Sequence, residues 1–327
     1  MAREDRPSEA SARRSPETTS GATASLRDST HQSKGGGAVG LPRQSPLFHA
    51  EHAERYERQE WIKRYQEQFG CRLIVVIDVL FGDSAILLEE LLYDADPEQD
   101  LQMILYSPGG DGELAVRMVR SLQARCRELT VVVPDQAKSA ATILAMGAHK
   151  ILMGPTSDLG PVDPQFQVGS PGHTGLVSAK DMIAAVEAAE RAVAAKPDTF
   201  PLHAALLSDV TALQVQQARS SLLRTGDLVK EALKSHPGRS QAEVETLYRR
   251  LRKPLISLPR DHSAVFGYDD ALKAGLPVEK ADPRGEQWQL IWRLFSKYIV
   301  MGAGPGMSVF EGEKASRITR YQGASAP

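Results

Sequence analysis

Four runs of apolar residues divide the first half of the chain: Leu73-Ile74-Val75-Val76-Ile77-Asp78-Val79-Leu80, Gln102-Met103-Ile104-Leu105-Tyr106, Leu129-Thr130-Val131-Val132-Val133 and Lys150-Ile151-Leu152-Met153. They are near-continuous rather than alternating, and turn residues bound them, which predicts strands buried on both faces. Between them the period changes. Ala85 to Leu92 reads as a helix, as does the stretch from Glu113 through Leu114, Val116, Met118, Val119 and Leu122 to about Cys126. Strands alternating with helices predict an α/β fold with a mainly parallel sheet covered by helices.

Further along, the helical period dominates. Ser178 and Asp181 have the spacing of a capping box ahead of a helix that runs to Ala195 and stops before Pro197. A second helix covers Leu206 to about Leu223, and a third starts at the box formed by Ser240 and Glu243. Trp288, Ile291, Leu294, Phe295, Tyr298 and Ile299 recur at helical spacing and predict an amphipathic C-terminal helix. The domain division predicted is a disordered tail over 1–46, an N-terminal helix over 47–70 and the α/β domain over 71–282. The C-terminal helix over 283–301 and a flexible tail over 302–327 complete it. The first tail is rich in Ser, Thr, Arg, Gly and Pro and holds too little apolar surface to offset ordering entropy; a binding arm for a partner is the alternative. The 47–70 helix is either laid on the domain surface or a subunit contact through Trp61 and Tyr65.

A formal charge of −2 lacks the basic footprint that nucleic-acid binding needs. Cys71 and Cys126 have neither CxxC nor metal-ligand spacing, so they read as reduced, buried residues. No apolar stretch approaches the ~20 residues of a membrane span. The N-terminus lacks the apolar core of a secretory signal, and a cytoplasmic protein is expected.

Two stretches carry candidate chemistry. In the first, the Gln102–Tyr106 strand stops at Ser107-Pro108-Gly109-Gly110-Asp111-Gly112 and a helix begins at once. Adjacent glycines there can turn their N–H groups outward at the positive end of a helix, a nest for an anion or a developing oxyanion. A tight turn serving only the backbone is the plainer reading. In the second, Pro134 closes a strand, and the loop Asp135-Gln136-Ala137-Lys138 delivers Ser139 to the head of a small-residue helix, Ala140 to Met146. Ser139 is either a nucleophile or a helix N-cap.

Taken in order, these motifs, with Lys150-Ile151-Leu152-Met153 and Leu159-Gly160-Pro161-Val162-Asp163-Pro164-Gln165, resemble the Clp-protease/crotonase superfamily. Within it the chain is similar to the serine dehydrogenase proteinase family, relatives of signal peptide peptidase A. The resemblance covers roughly residues 72–278 and implies a spiral of β-β-α units. It also implies a final strand at Leu255-Ile256-Ser257-Leu258, followed by a helix ending at Gly275-Leu276. It implies a serine peptidase with Ser139 as nucleophile and the N–H groups of Gly109 and Gly110 as oxyanion hole. A peptide or protein substrate, a homo-oligomer and no cofactor or metal follow from the same likeness.

The base is less clear. The histidine of Clp proteases is replaced here by the Asp163-Pro164-Gln165 run. Signal peptide peptidase A-type enzymes use a lysine, and Lys180 stands at a similar separation from the serine. A first helical turn disfavours an ammonium, although Asp181 beside it opposes that effect. Lys138, Asp163 and His262 are accessory candidates. The alternatives are a non-catalytic assembly or adaptor module of the same fold, and a crotonase-like acyl-CoA enzyme, which needs no serine nucleophile. No Gly-x-x-x-x-Gly-Lys-Ser/Thr run occurs, so any ATP dependence would come from a partner.

Overall fold

The computed structural model describes residues 45–170, 173–257, 263–304 and 306–321. His262 lies outside the described residues, as does all but the end of the 1–46 tail. The described residues begin with helices α1 (Pro46–Glu51) and α2 (Ala53–Phe69), the latter ended by Gly70 in the left-handed conformation, φ 63°. Then follow β1 (Cys71–Ile77), α3 (Ser84–Leu91), β2 (Asp100–Tyr106), α4 (Gly112–Gln123), β3 (Leu129–Val133), β4 (Gln136–Ala137), α5 (Ala140–Met146), β5 (Lys150–Met153) and β6 (Asp158–Leu159). A hairpin of β7 (Gln165–Ser170) and β8 (His173–Ser178) leads into α6 (Ala179–Ala195), α7 (Phe200–Leu206), α8 (Ala212–Ser235) and α9 (Gln241–Arg252). The chain finishes with α10 (Tyr268–Ala274), β9 (Val278–Lys280), α11 (Glu286–Val300), β10 (Met307–Gly312) and β11 (Ser316–Arg320).

The main sheet has seven strands in the order β11-β10-β1-β2-β3-β5-β9. β1, β2, β3, β5 and β9 are mutually parallel, and β10 and β11 add antiparallel at one edge. This is the mixed, mostly parallel α/β architecture that the strand–helix alternation implies. Its strands are apolar throughout because both faces are covered. Ile74 and Val76 of β1 join a core under α3, α4, α5 and α8, while Leu73, Val75 and Ile77 join one under α2 and α11.

A second row of strand fragments rises beyond the ends of the main strands: Leu80 bridges Gly110, Ser107 bridges Ala137, β4 pairs with β6, and Leu159 bridges Phe266. Each turn of chain thus adds a long strand, a short one and a helix. The glycine turn and the serine both sit on this upper row.

Three expectations change. The 302–327 segment is not simply a mobile tail, because β10 and β11 extend the main sheet and Glu311 of β10 is fully buried. Its carboxylate accepts from Arg58 Nε (2.8 Å), Arg58 Nη2 (3.2 Å) and Tyr298 Oη (2.6 Å). That paired charge holds together α2, α11 and β10. Leu255-Ile256-Ser257 forms a π-helical turn continuing from α9 rather than a strand; its apolar side chains are buried either way, which is why a short apolar run cannot distinguish the two. The second helix runs Ala212–Ser235, opened by a capping box between Thr211 and Gln214. Tyr65 is buried at 2% exposure and donates to Gln102 Oε1 at 2.6 Å, so it is committed within the chain.

Candidate active site

The glycine turn owes its shape to Leu80. The Leu80 N–H donates to Gly109 O and the Asp111 N–H donates to Leu80 O, both at 2.8 Å, so the turn is stitched on either side of Gly110. Gly109 and Gly110 have φ of 120° and 137°, which only glycine adopts without strain. A Cβ on Gly110 would lie 2.2 Å from Leu80 O. Asp111 then caps α4, its carboxylate accepting from Glu113 N (2.8 Å) and Leu114 N (3.4 Å).

Facing the turn is Ser139. It has φ 51° and ψ −117°, the one positive-φ non-glycine among the described residues. Such a conformation costs on the order of 1–3 kcal/mol and persists only where its surroundings over-determine it. They do: Ser139 N–H donates to Pro161 O (3.1 Å), Lys138 N–H to Ser107 O (3.0 Å) and Ala141 N–H to Lys138 O (2.9 Å). Thr142, fully buried, places its Oγ1 2.7 Å from Ala137 O and 2.9 Å from Gly160 O. The Ser139 hydroxyl makes no helix-capping bond, so the N-cap reading does not account for it.

The serine and the glycine turn touch. A Cβ on Gly109 would fall 2.7 Å from Ser139 Cβ and 3.3 Å from its Oγ. The Gly109 N–H is taken by Ser107 Oγ at 3.1 Å, whereas the N–H groups of Gly110 and Ala140 donate to no described residue. Ala140 opens α5, where the first N–H groups have no acceptor within the helix. A cavity of ≈ 310 Å³ opens in front of the pair, walled by Ile143 and Val162 and by Thr225 and Leu228 of α8. A larger cavity of ≈ 660 Å³ beside Trp288 and Trp292 contains none of these groups. A half-buried hydroxyl, a strained backbone, open N–H donors and an adjacent apolar cavity are the parts of an acyl-transfer site.

Residues 56–237, more than half of the chain, match the ClpP-like SDH-type serine proteinases. The chain belongs to that family. It is also similar to two proteins of Methanocaldococcus jannaschii. One, the uncharacterized protein MJ0137, is 27% identical over 67% of each chain. The other, the uncharacterized protein MJ1495, is 21% identical over 77% of this chain and 80% of its own.

In this member of the family the remaining candidates fall in different places. Asp163 is buried beside Pro164, whose carbonyl accepts from Ala179 N (2.8 Å), and its Oδ2 lies 3.3 Å from Lys180 Nζ. Asp163 and Lys180, separate candidates in the sequence, thus form one pair, two residues beyond the Pro161 that holds Ser139. No hydrogen bond joins Lys180 Nζ to Ser139; the lysine instead lines a neighbouring cavity of ≈ 570 Å³ with Arg219, Tyr248 and Ile256. Lys138 runs away from the serine. Its stem crosses Gly160, where a Cβ would meet Lys138 Cδ at 2.1 Å, and its ammonium pairs with Asp158.

Ser178 occupies the N-cap of α6 without a capping bond, whereas Ser240 and Glu243 form their box in full. His149 accepts from Leu129 N and packs at a tilt against His236, ring centroids 4.4 Å apart, and burial lowers the pKa of both imidazoles. Sequence reading missed the Ala140 N–H, the Leu80 stitch and the α8 wall. The first two are backbone features without a side-chain signature. The third was within reach from the Thr211–Gln214 box and the apolar stripe Val215, Ala218, Leu222, Leu228.

Proposed function

We propose that this protein is a serine peptidase in which Ser139 is the nucleophile and Lys180 its base. The observation that carries the reading is the strained Ser139 lying directly over Gly109 at the head of α5. With Lys180 in its neutral amine form, its ammonium proton given up as it leaves Asp163, Ser139 Oγ attacks the scissile carbonyl carbon while its proton passes to Lys180 Nζ. The carbonyl oxygen becomes an oxyanion that the N–H groups of the Gly109-Gly110 turn and of Ala140 stabilise, Gly110 offering the open donor on the turn. Collapse of the adduct breaks the C–N bond, and the lysine returns its proton to the leaving amine. Water then releases the acyl group by the same route.

This base requires Lys180 to turn from Asp163 towards the serine, and catalytic hydrogen bonds commonly tighten only when substrate is bound. Asp163 would hold the lysine at the site between turnovers. Among the described residues no helix is long and apolar enough to cross a membrane. The working unit is a homo-oligomer, for which exposed Phe200, Leu202, Leu206 and Leu213 offer apolar contacts; sedimentation as a monomer at micromolar concentration would contradict this.

The test is hydrolysis of a casein-derived peptide library followed by mass spectrometry. The wild type cleaves, Ser139→Ala does not, and Lys180→Ala is slower by about 10²–10⁴-fold, the usual contribution of a general base. Equal cleavage by wild type and Ser139→Ala would reject the serine mechanism.

A further inference from the structure

The Gly109-Gly110 turn cannot hold itself, because glycine crosses between backbone regions at little cost. What fixes it is Leu80, through bonds on both sides of Gly110. Leu80 in turn sits in the loop between β1 and α3, which carries an exposed Phe81 (70%) and a left-handed Gly82 and is pinned by one buried carboxylate, that of Asp78 (3% exposed).

Asp78 continues β1 into this loop, its N–H donating to Tyr106 O at 3.2 Å. Asp78 Oδ2 accepts from Ser84 Oγ at 2.8 Å, and Ser84 Oγ accepts in turn from Phe81 N at 3.2 Å, closing the loop around Leu80. Asp78 Oδ1 accepts at 2.9 Å from the hydroxyl of Tyr321, next after the last strand, β11. Tyr321 is 46% exposed and is otherwise tied by its N–H to Gly306 O at 3.0 Å. The C-terminal strand pair therefore reaches the glycine turn in four steps: Tyr321, Asp78, the Phe81–Ser84 closure, Leu80.

We propose that Asp78 and Tyr321 are positioning residues for the oxyanion donors, a brace by which the C-terminal strand pair sets the conformation of the Gly109-Gly110 turn opposite Ser139. The inference rests on the serine-peptidase reading for its catalytic consequence, but its structural half stands alone. Neither residue touches a reacting atom. Docking of Tyr321 makes the turn rigid; release of the C-terminal segment takes the Tyr321 bond from Asp78 and leaves its carboxylate with Ser84.

The experiment uses the full chain as wild type, Tyr321→Phe, Asp78→Asn and Lys314→Ala. The last loosens the same strand pair at the Lys314–Asp94 contact (2.6 Å) without touching Asp78. Amide hydrogen exchange over residues 107–114 reads the turn directly. Losing one such bond raises exchange there by about five- to tenfold in Tyr321→Phe and Asp78→Asn and not in Lys314→Ala.

Labelling of Ser139 by a fluorophosphonate then reads the consequence. The maximal rate at saturating probe falls by a similar factor while the half-saturating concentration is unchanged. Unchanged exchange in Tyr321→Phe and Asp78→Asn would overturn the brace, as would faster exchange with an unaltered labelling rate. A wild type that never labels at Ser139, with exchange still raised in the two variants, would reject the peptidase reading and leave the brace standing.

Discussion

Two buried ion pairs lie on opposite sides of the sheet, and they are built differently. Arg58 and Glu311 (3% and 0% exposed) meet in a two-pronged contact, and Tyr298 completes the carboxylate's set at 2.6 Å. Burial acts to lower the Arg58 pKa, but the Glu311 carboxylate outweighs it and the pKa is raised. Burial first and Glu311 second hold the Tyr298 phenol protonated. Lys180 and Asp163 (15% and 0%) meet at a single 3.3 Å contact, and Lys180 Nζ donates no hydrogen bond among the described residues. A charge whose valences are all used is a staple. A buried lysine with donors unspent can move, and in this chain its partner Asp163 lies two residues from the Pro161 that holds Ser139.

The contrast is broken most sharply by removing one partner from the saturated pair. Glu311→Ala leaves Arg58 buried and unpaired and costs about 3–5 kcal/mol, read from urea unfolding, while the fraction still folded labels Ser139 at the wild-type rate. A change below about 1 kcal/mol would mean that Arg58 finds water. Gly110→Ala puts a Cβ into Leu80 O, so the turn must shift. Labelling of Ser139 then falls by about 10²–10³-fold, the loss expected for a displaced oxyanion donor. Wild-type labelling in this variant would detach the turn from the chemistry.

On the other side, Lys180→Met leaves the buried Asp163 carboxylate without its cation, but a single 3.3 Å contact is lost and Asp163 keeps a further partner, so the stability cost is smaller, about 1–3 kcal/mol, although its effect on catalysis is large. Equal costs for Glu311→Ala and Lys180→Met would erase the distinction between staple and base.

The smallest effect belongs to a surface pair. Hydrogen bonds from Lys314 and then Arg72 hold the Asp94 carboxyl down at about 2. A depressed folded pKa gives stability that is present above the unfolded value near 4 and is lost as pH falls towards 2. Asp94 is 41% exposed, so solvent screening limits this to less than about 1 kcal/mol. Asp94→Asn should flatten the stability profile between those pH values by that amount and leave neutral-pH labelling unaltered.

What could be read in advance follows from how local each signal is. The strands β1, β2, β3 and β5 are apolar on both faces, so their runs stand out. Pro108-Gly109-Gly110 and the small residues after Ser139 mark turns and a tight helix by their own chemistry. β10 was missed because Ser308 and Glu311 make Met307–Gly312 look polar; Glu311 is tolerated inside only because Arg58, remote in sequence, comes to meet it. Lys180 and Asp163 were each legible, but their pairing depends on the β7–β8 hairpin returning the chain to Pro164, where Ala179 N–H bonds. The Ala140 donor has no residue signature at all, since any side chain at that position presents the same N–H.

The proposed chemistry makes Ser139 an activated nucleophile served by Lys180. Intact-mass spectrometry after incubation with a fluorophosphonate, followed by peptide mapping, tests it most directly. One adduct on Ser139 in the wild type, absent from Ser139→Ala and from Lys180→Ala at equal times, is the expected result. A folded wild type that gains no adduct, or gains one on a different serine, would contradict it.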